Sequence, residues 1–418
     1  MMILKKDNPV FHVPLEWIVA FALTVPTYIV FFIGKEPFMQ GLAFTLYLIP
    51  IAIVLVRNGI PRLSVKFWVT WLLFCALWVI PSIINSMSPR LESDLVSLPI
   101  LFYHVAIMTA IAIFFKAYCD KTKSVNQDLL LRSIFWVLVP MVVLIFFKTI
   151  YLDFQSDSYG IYEVKRPAPF GVQPNVNAEI IFTFLLVSLR LPGNFIKIIA
   201  VVIAVATCYL LESRGGLISC YIALIVTYCL PWILSKINWK VSILFLGSCL
   251  LISFLFFNEI VSFAESFLML DDRIKNIAEG DRVKDFAGRL QMWQLGMNSI
   301  VENPFQGIGF WVNPMGYSIP ENFPSWARLD HPGLVIHNAF IRIATENGLL
   351  LLMMVLIIIF LVCSRLIRLK KFMDLALVVS ILFFLFFATR HLTLNLMNLL
   401  LYYTLIRSLS IDKKLIKI

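Results

Sequence analysis

Apolar runs long enough to cross a bilayer recur along almost the whole chain, and nothing else narrows the possible folds so far. A spanning helix needs about 20 residues, because the hydrocarbon core is about 30 Å thick and a helix rises about 1.5 Å per residue. Such runs lie near residues 15–33, 38–56, 65–85, 97–115, 133–152, 178–191, 195–212, 215–234, 239–257, 345–363, 374–389 and 392–408, about twelve spans. Open strand edges cannot sit in lipid, so runs of this length mean helices. The expected fold class is an all-α polytopic membrane protein. Composition agrees, with 60% hydrophobic and 14% charged residues in 418 and a mean hydropathy of +0.87. Soluble domains carry roughly a quarter charged residues.

Charge placement orients the spans. Loops on the cytoplasmic side carry an excess of Lys and Arg. With the N-terminus ("MMILKKDNP") inside, the alternate loops are "RNGIPRLSVK", "KAYCDKTKSVNQDLLLR", "RLPGNFIK", "SKINWK" and "SRLIRLKK", with "IDKKLIKI" as the tail. These hold most of the 35 basic residues. Both termini are therefore expected in the cytoplasm of a multi-pass protein. The net charge of +10 follows from orientation and calls for no nucleic-acid partner. No small-residue cleavage site follows the first span, so a removable signal peptide is not expected. All seven cysteines fall in spans or inner loops, which argues against a disulfide framework. No CxxC or HExxH spacing occurs, and neither metal nor cofactor is expected.

The chain divides unevenly. Residues 1–257 form an N-terminal bundle of about nine spans with an outer loop at 153–177. Residues 258–335 form a long outer loop, and 336–418 hold the C-terminal spans and tail. The first half of the long loop reads as helix, with Leu290, Trp293, Met297 and Ile300 on one apolar face and Pro304 ending the run. Its second half, "FQGIGFWVNPMGYSIPENFPSWARLDHPGLV", is rich in Gly, Pro and aromatics, which suits either the membrane interface or a sugar-stacking lid. A transporter would more often show two related halves and charges in mid-span. Neither pattern is visible here.

Polar groups at the edge of a membrane span are costly and point to function. Three such groups fall on one side by the loop count: Arg214 in "LLESRGGLISC", Arg289 in "AGRLQMW" and His337 in "IHNAFIRIATENGLL". Two guanidinium forks suit a phosphate or diphosphate. A neutral imidazole beside them could take a proton from an attacking hydroxyl. Plainer readings exist for each: Arg214 as a helix cap or snorkelling side chain, Arg289 paired with Asp285 on its own helix, and His337 as an interfacial hydrogen-bonding residue. Arg342 and Glu346, at i, i+4, suit a structural ion pair. Glu346 lies nine positions from His337, about 180° round an ideal helix, and so cannot orient that imidazole. Arg166, Gln173, Asn175 and Asn177 in "KRPAPFGVQPNVNAEI", and Asn338 beside His337, are further candidates for binding sugar or phosphate.

Together "RPAPFGVQPNVNAEI", "ESRGGLI", "GRLQMWQLGMNSIVENPFQGIGF" and "HNAFIRIATENGLL" resemble the O-antigen ligase and polymerase family of bacterial envelope glycosyltransferases. The resemblance implies a GT-C-like fold of about twelve transmembrane helices with one long periplasmic helical loop. It also implies an inverting, metal-independent transfer of a glycan from an undecaprenyl diphosphate carrier to an acceptor hydroxyl. The place of action would be the periplasmic face of the bacterial inner membrane. The family's diphosphate-holding arginines map onto Arg214 and Arg289, and its acceptor-activating histidine onto His337. A ligase would take a sugar of the lipid A-core as acceptor; a polymerase would take another carrier-linked repeat unit. Spacing and length resemble the ligases more closely, and either activity is compatible with a homo-oligomer among the membrane lipids. Two departures stand out: Gly215–Gly216 after the arginine, and leucines rather than a glycine-rich turn after Gly348.

Overall fold

The computed structural model describes residues 48–58, 63–87, 93–121, 124–155, 158–159, 166–167, 169–171, 174–211, 213–241, 295–309, 338–387 and 396–410. It also describes positions 16, 17, 19–21, 23, 24, 28, 244, 247, 248, 293 and 336. The helices are α1 (Leu48–Asn58), α2 (Val65–Met87), α3 (Ser93–Lys121), α4 (Ser124–Gln155), α5 (Pro174–Ser188), α6 (Asn194–Leu210), α7 (Arg214–Lys236), α8 (Ala339–Arg368), α9 (Phe372–Phe387) and α10 (Leu396–Ser410). A further helical stretch covers 295–302. The all-α expectation holds with one small addition. In the loop at 153–177, Ser158–Tyr159 (β1) pairs antiparallel with Arg166–Pro167 (β2), followed by a 3-10 turn at Pro169–Gly171.

Among the described residues, five helical stretches are long and apolar enough to cross a membrane: Phe67–Ile84, Leu101–Cys119, Asp128–Tyr151, Gly215–Lys236 and Ala339–Arg368. Shorter apolar helices cover Asn175–Ser188, Asn194–Leu210 and Phe372–Phe386. The chain is thus a multi-pass membrane protein. Most of the expected spans at 15–33, 38–56 and 239–257, and most of the long outer loop, lie outside the described residues.

Each helix meets a lipid solvent in which backbone and hydroxyl groups must be satisfied internally. Thr149, Thr183, Thr207, Ser219, Ser380 and Thr404 bond their hydroxyls to the carbonyl four residues back. Pro81, Pro140 and Pro231 sit inside α2, α4 and α7, which membrane helices tolerate where neighbours take up the freed groups. Outward faces stay apolar, as at Leu72 of α2, Val202 of α6 and Ile225 of α7. In water such surfaces would invite aggregation; in a bilayer they face lipid tails.

Aromatic rings lock the centre. Phe182 of α5 stacks on Phe384 of α9 at 4.5 Å between centroids, and Phe135 of α4 stacks on Phe184 of α5 at 5.0 Å. Such pairs contribute about 0.5–1.5 kcal/mol beyond burial. At one end of the bundle, Arg190 after α5 pairs with Asp374 of α9, and Arg407 of α10 donates to Asp128 of α4 at 3.2 Å. Arg190 and Asp128 belong to loops that charge counting assigned to one side, and Asp374 and Arg407 stand at the ends of expected spans that adjoin such loops. Along α9, Phe384 stands ten residues from Asp374, about 15 Å of helix away.

Candidate functional site

Two of the four motifs meet where α5 and α7 begin. Pro174 heads α5, a position where its missing N–H costs nothing. Ser213 caps α7, its Oγ accepting from the Gly216 N–H at 3.4 Å and donating to Asn175 Oδ1 at 3.1 Å. The helices approach closely because Gly216 has no side chain: a Cβ there would lie 2.7 Å from Ala178 Cβ. The Gly215–Gly216 departure thus has a packing cause at its second glycine. Arg214 is the first residue of α7. It stands at the positive end of that helix dipole, where anions are favoured.

The other two motifs meet at a break in α8. Gly348 has φ 83 and ψ 168, a conformation essentially confined to glycine. The break frees backbone groups, and the turn after helix 295–302 takes them up. Ile308 N–H donates to Thr345 O at 2.8 Å, Gly309 N–H to Glu346 O at 2.9 Å, and Leu349 N–H to Pro304 O at 2.7 Å. Both sides of this clip need glycine. A Cβ on Gly307 would lie 2.5 Å from the Glu346 carbonyl carbon, and one on Gly348 would lie 2.1 Å from Phe305 O. Upstream, Thr345 Oγ1 donates to Gly296 O at 3.2 Å, and Trp293, Leu295 and Ile300 pack on Ile336, Ile341 and Ala344. The apolar face expected at Trp293, Met297 and Ile300 is therefore the one that docks on α8; Leu290 lies outside the described residues.

The pair expected from spacing is present: Arg342 Nε donates to Glu346 Oε1 at 2.5 Å, with both residues nearly shut from solvent at 6% and 4% exposure. Removing one partner of such a pair costs about 3–5 kcal/mol, because the other charge stays buried. That fits a scaffold beneath the clip.

Both corners share one end of the bundle. Phe386 of α9 packs edge-on against Trp293 at 5.5 Å between centroids, and two residues earlier Phe384 stacks on Phe182 of α5. These contacts lie at the end of α9 opposite its ion pair with Arg190.

Of the expected site residues, Asn175, Asn338 and the backbones of Arg166 and Arg214 are described. Arg214 opens α7, but its side chain is outside the described residues, as are Arg289, His337 and Gln173 entirely. Arg166 pairs through β2 with Tyr159, its side chain likewise outside. Asn175 is half-buried, with its amide oxygen taken by Ser213. Asn338 immediately follows His337 and is the N-cap of α8, its Oδ1 accepting from Phe340 N at 3.0 Å and Ile341 N at 3.1 Å. Its Nδ2 is buried and has no hydrogen-bond partner among the described residues. Capping therefore fixes the backbone that follows His337.

Sequence reasoning passed over Ser213, although a serine directly before an apolar helix is a capping signal. It also missed Thr345, Gly296 and Gly307, whose roles depend on a partner about 40–50 positions away. Glu179, one turn past Asn175 on the same face of α5, was missed too; its Oε1 is sealed from solvent and accepts no hydrogen bond from the described residues. Among the described residues no group of three or more His, Cys, Asp or Glu gathers to hold a metal.

None of the curated proteins matches the chain. Residues 199–356 match the family model described as O-antigen ligase. That stretch runs from α6 through the Ser213 cap, the clip and the first half of α8, and it contains Arg214, Arg289 and His337. Across this stretch, less than half of its length, the chain is similar to the O-antigen ligase family.

Proposed function

We propose that the protein is an O-antigen ligase that moves a glycan from undecaprenyl diphosphate to a sugar hydroxyl of the lipid A-core at the periplasmic face of the inner membrane. The match of residues 199–356 to the O-antigen ligase model supports glycosyltransferase activity of the ligase or polymerase type; the donor, acceptor and residue roles are our reading. Arg214 and Arg289 grip the donor's diphosphate. As the bond from the anomeric carbon to the phosphate oxygen breaks, its electron pair moves onto that oxygen. Fixed cations there stabilise the transition state more than the ground state. The acceptor oxygen attacks the opposite face of the anomeric carbon and inverts it, while His337 takes the hydroxyl proton. Asn338 and Asn175 line the approach, with Arg166 on the outer hairpin. The chemistry needs no metal and no cofactor in this scheme.

The observation that carries the reading is the meeting of all four motifs at one end of the bundle, as the Ser213–Asn175 corner and the Gly348 clip. The test is complementation of a deletion strain, read on a lipopolysaccharide gel. Wild type should restore long chains, whereas His337→Ala should restore none while inserting normally. Arg289→Lys should lose most of the activity, because a point charge cannot reproduce the bidentate fork. Long chains from His337→Ala would remove the histidine from the mechanism. Core bearing a single repeat in the deletion strain would make the protein a polymerase, and an unchanged ladder would leave a transporter.

A further inference from the structure

Among the described residues, the cluster of Arg190, Lys371, Arg407, Asp374 and Asp128 at the end of the bundle remote from the two motif corners holds three cations against two carboxylates. Each carboxylate is already engaged, Asp374 by Arg190 and Asp128 by Arg407. Lys371 is left as a half-buried cation with no carboxylate in ion-pair reach among the described residues. Burial lowers its pKa; Arg407 and Arg190 push the same way, while Asp374 and Asp128 oppose them. A second, independent sign is Arg407, 6% exposed, whose Nε is buried and donates to nothing described.

The turn that presents Lys371 is closed by backbone hydrogen bonds. Lys371 N–H donates to Leu366 O at 2.9 Å and Lys370 N–H to Ile367 O at 3.0 Å, closing the end of α8. Lys370 occupies the left-handed position of this motif, with φ 54, where glycine is the usual residue. The chain accepts backbone strain there and keeps a basic side chain. Arg368 and Lys370, both exposed, flank the same turn. Position matters as well: one candidate span starts at Asp128 and another ends at Arg368, so the cluster lies at the ends of two candidate spans.

We propose that the α8–α9 turn, with Arg190 and Arg407 beside it, is a binding site for the phosphodiester of an anionic phospholipid. The lipid's negative charge offsets the surplus cation. Its phosphate oxygens accept from Lys371, with the Arg407 guanidinium edge behind, and its acyl chains lie along the apolar outer faces of the bundle. Basic pockets between spans on the cytoplasmic side suit such headgroups. The site is separate from glycan transfer and does not depend on the catalytic reading.

The test uses the full-length protein, purified in a neutral detergent and titrated with phosphatidylglycerol, phosphatidylcholine or inorganic phosphate, reading Tm. Phosphatidylglycerol should raise Tm in proportion to the logarithm of its concentration, as a ligand of the folded state does; phosphatidylcholine should not. Lys371→Gln should need about fivefold more phosphatidylglycerol for the same rise, one basic residue's share at an anionic surface. Lys370→Gly relieves the left-handed strain, so it should fold at least as stably in detergent alone yet respond less to phosphatidylglycerol. An equal response from wild type and both variants, or no response from any of them, would overturn the proposal. A rise with inorganic phosphate that phosphatidylglycerol does not exceed would overturn the lipid assignment and leave a free-anion site.

Discussion

Gly348 shows how much one residue can carry. Its backbone adopts a conformation that costs other residues about 1–3 kcal/mol, and the space for a Cβ is filled by the Phe305 carbonyl. Gly193 offers a control, with φ 100 and nothing within 4 Å of where a Cβ would stand. Gly193→Ala should therefore carry strain alone, whereas Gly348→Ala should carry strain and expel the 304–309 turn from α8. Tm in detergent should fall further for Gly348→Ala, with faster proteolysis near residue 305 in that variant only. Equal falls and equal proteolysis would show that the clip contributes nothing. Ionisable side chains at this scale are placed with equal economy: Arg342 and Glu346 neutralise each other beneath the clip.

At the level of elements, the junction of α5 and α7 decides where Arg214 begins its helix. Contact between the two backbones is limited by the pair Gly216 and Ala178. Gly216→Ala should pry the helices apart, loosen the Ser213–Asn175 bond and lower transfer in the complementation gel. Ala178→Gly in the same chain should restore much of it by reopening the space, although a glycine in a helix costs about 1 kcal/mol. Rescue by Ala178→Gly separates a packing defect from a chemical one; if the double variant is no better than the single, close approach is not what Gly216 supplies. Helix 295–302 follows the same logic against α8. There Gly296 lets Ile336 and Ile341 come within 2.8 Å of where its Cβ would stand.

For the whole molecule, the two long-range ion pairs tie α5 to α9 and α4 to α10 at the end remote from the site. Arg190 and Asp374 are largely buried, with side chains 14% and 10% exposed. Reversing either charge alone, Arg190→Asp or Asp374→Arg, leaves two like charges facing each other and should lower Tm sharply. The double exchange should recover much of the loss, since the pair is re-formed with its polarity inverted. A double variant as unstable as either single would mean that the two side chains act through other partners. The aromatic stack of Phe182 on Phe384 belongs to the main core, the residues beneath the clip form a second, smaller cluster, and Leu352 packs against both.

Much of this architecture is legible in one dimension. Among the described residues, five of the apolar runs become helices long enough to span and others become shorter apolar helices, because lipid permits almost nothing but a helix, and that demand is local to each run. Helix 295–302, its apolar face and the Arg342–Glu346 pair are legible for the same reason, since partners three or four residues apart meet on any helix. The small β1–β2 pairing escaped notice because two-residue strands have no period to detect. Nothing in the string of residues announces that Ser213 reaches Asn175, that Gly296 takes a bond from Thr345, or that "NPFQGIG" satisfies a break in α8. Those contacts join positions 37 to 49 apart in sequence, or hinge on a glycine whose conformation is chosen by its neighbour. Local chemistry can nominate helices and charged groups; which of them touch is settled by packing between distant segments, and packing exists only once the chain has folded.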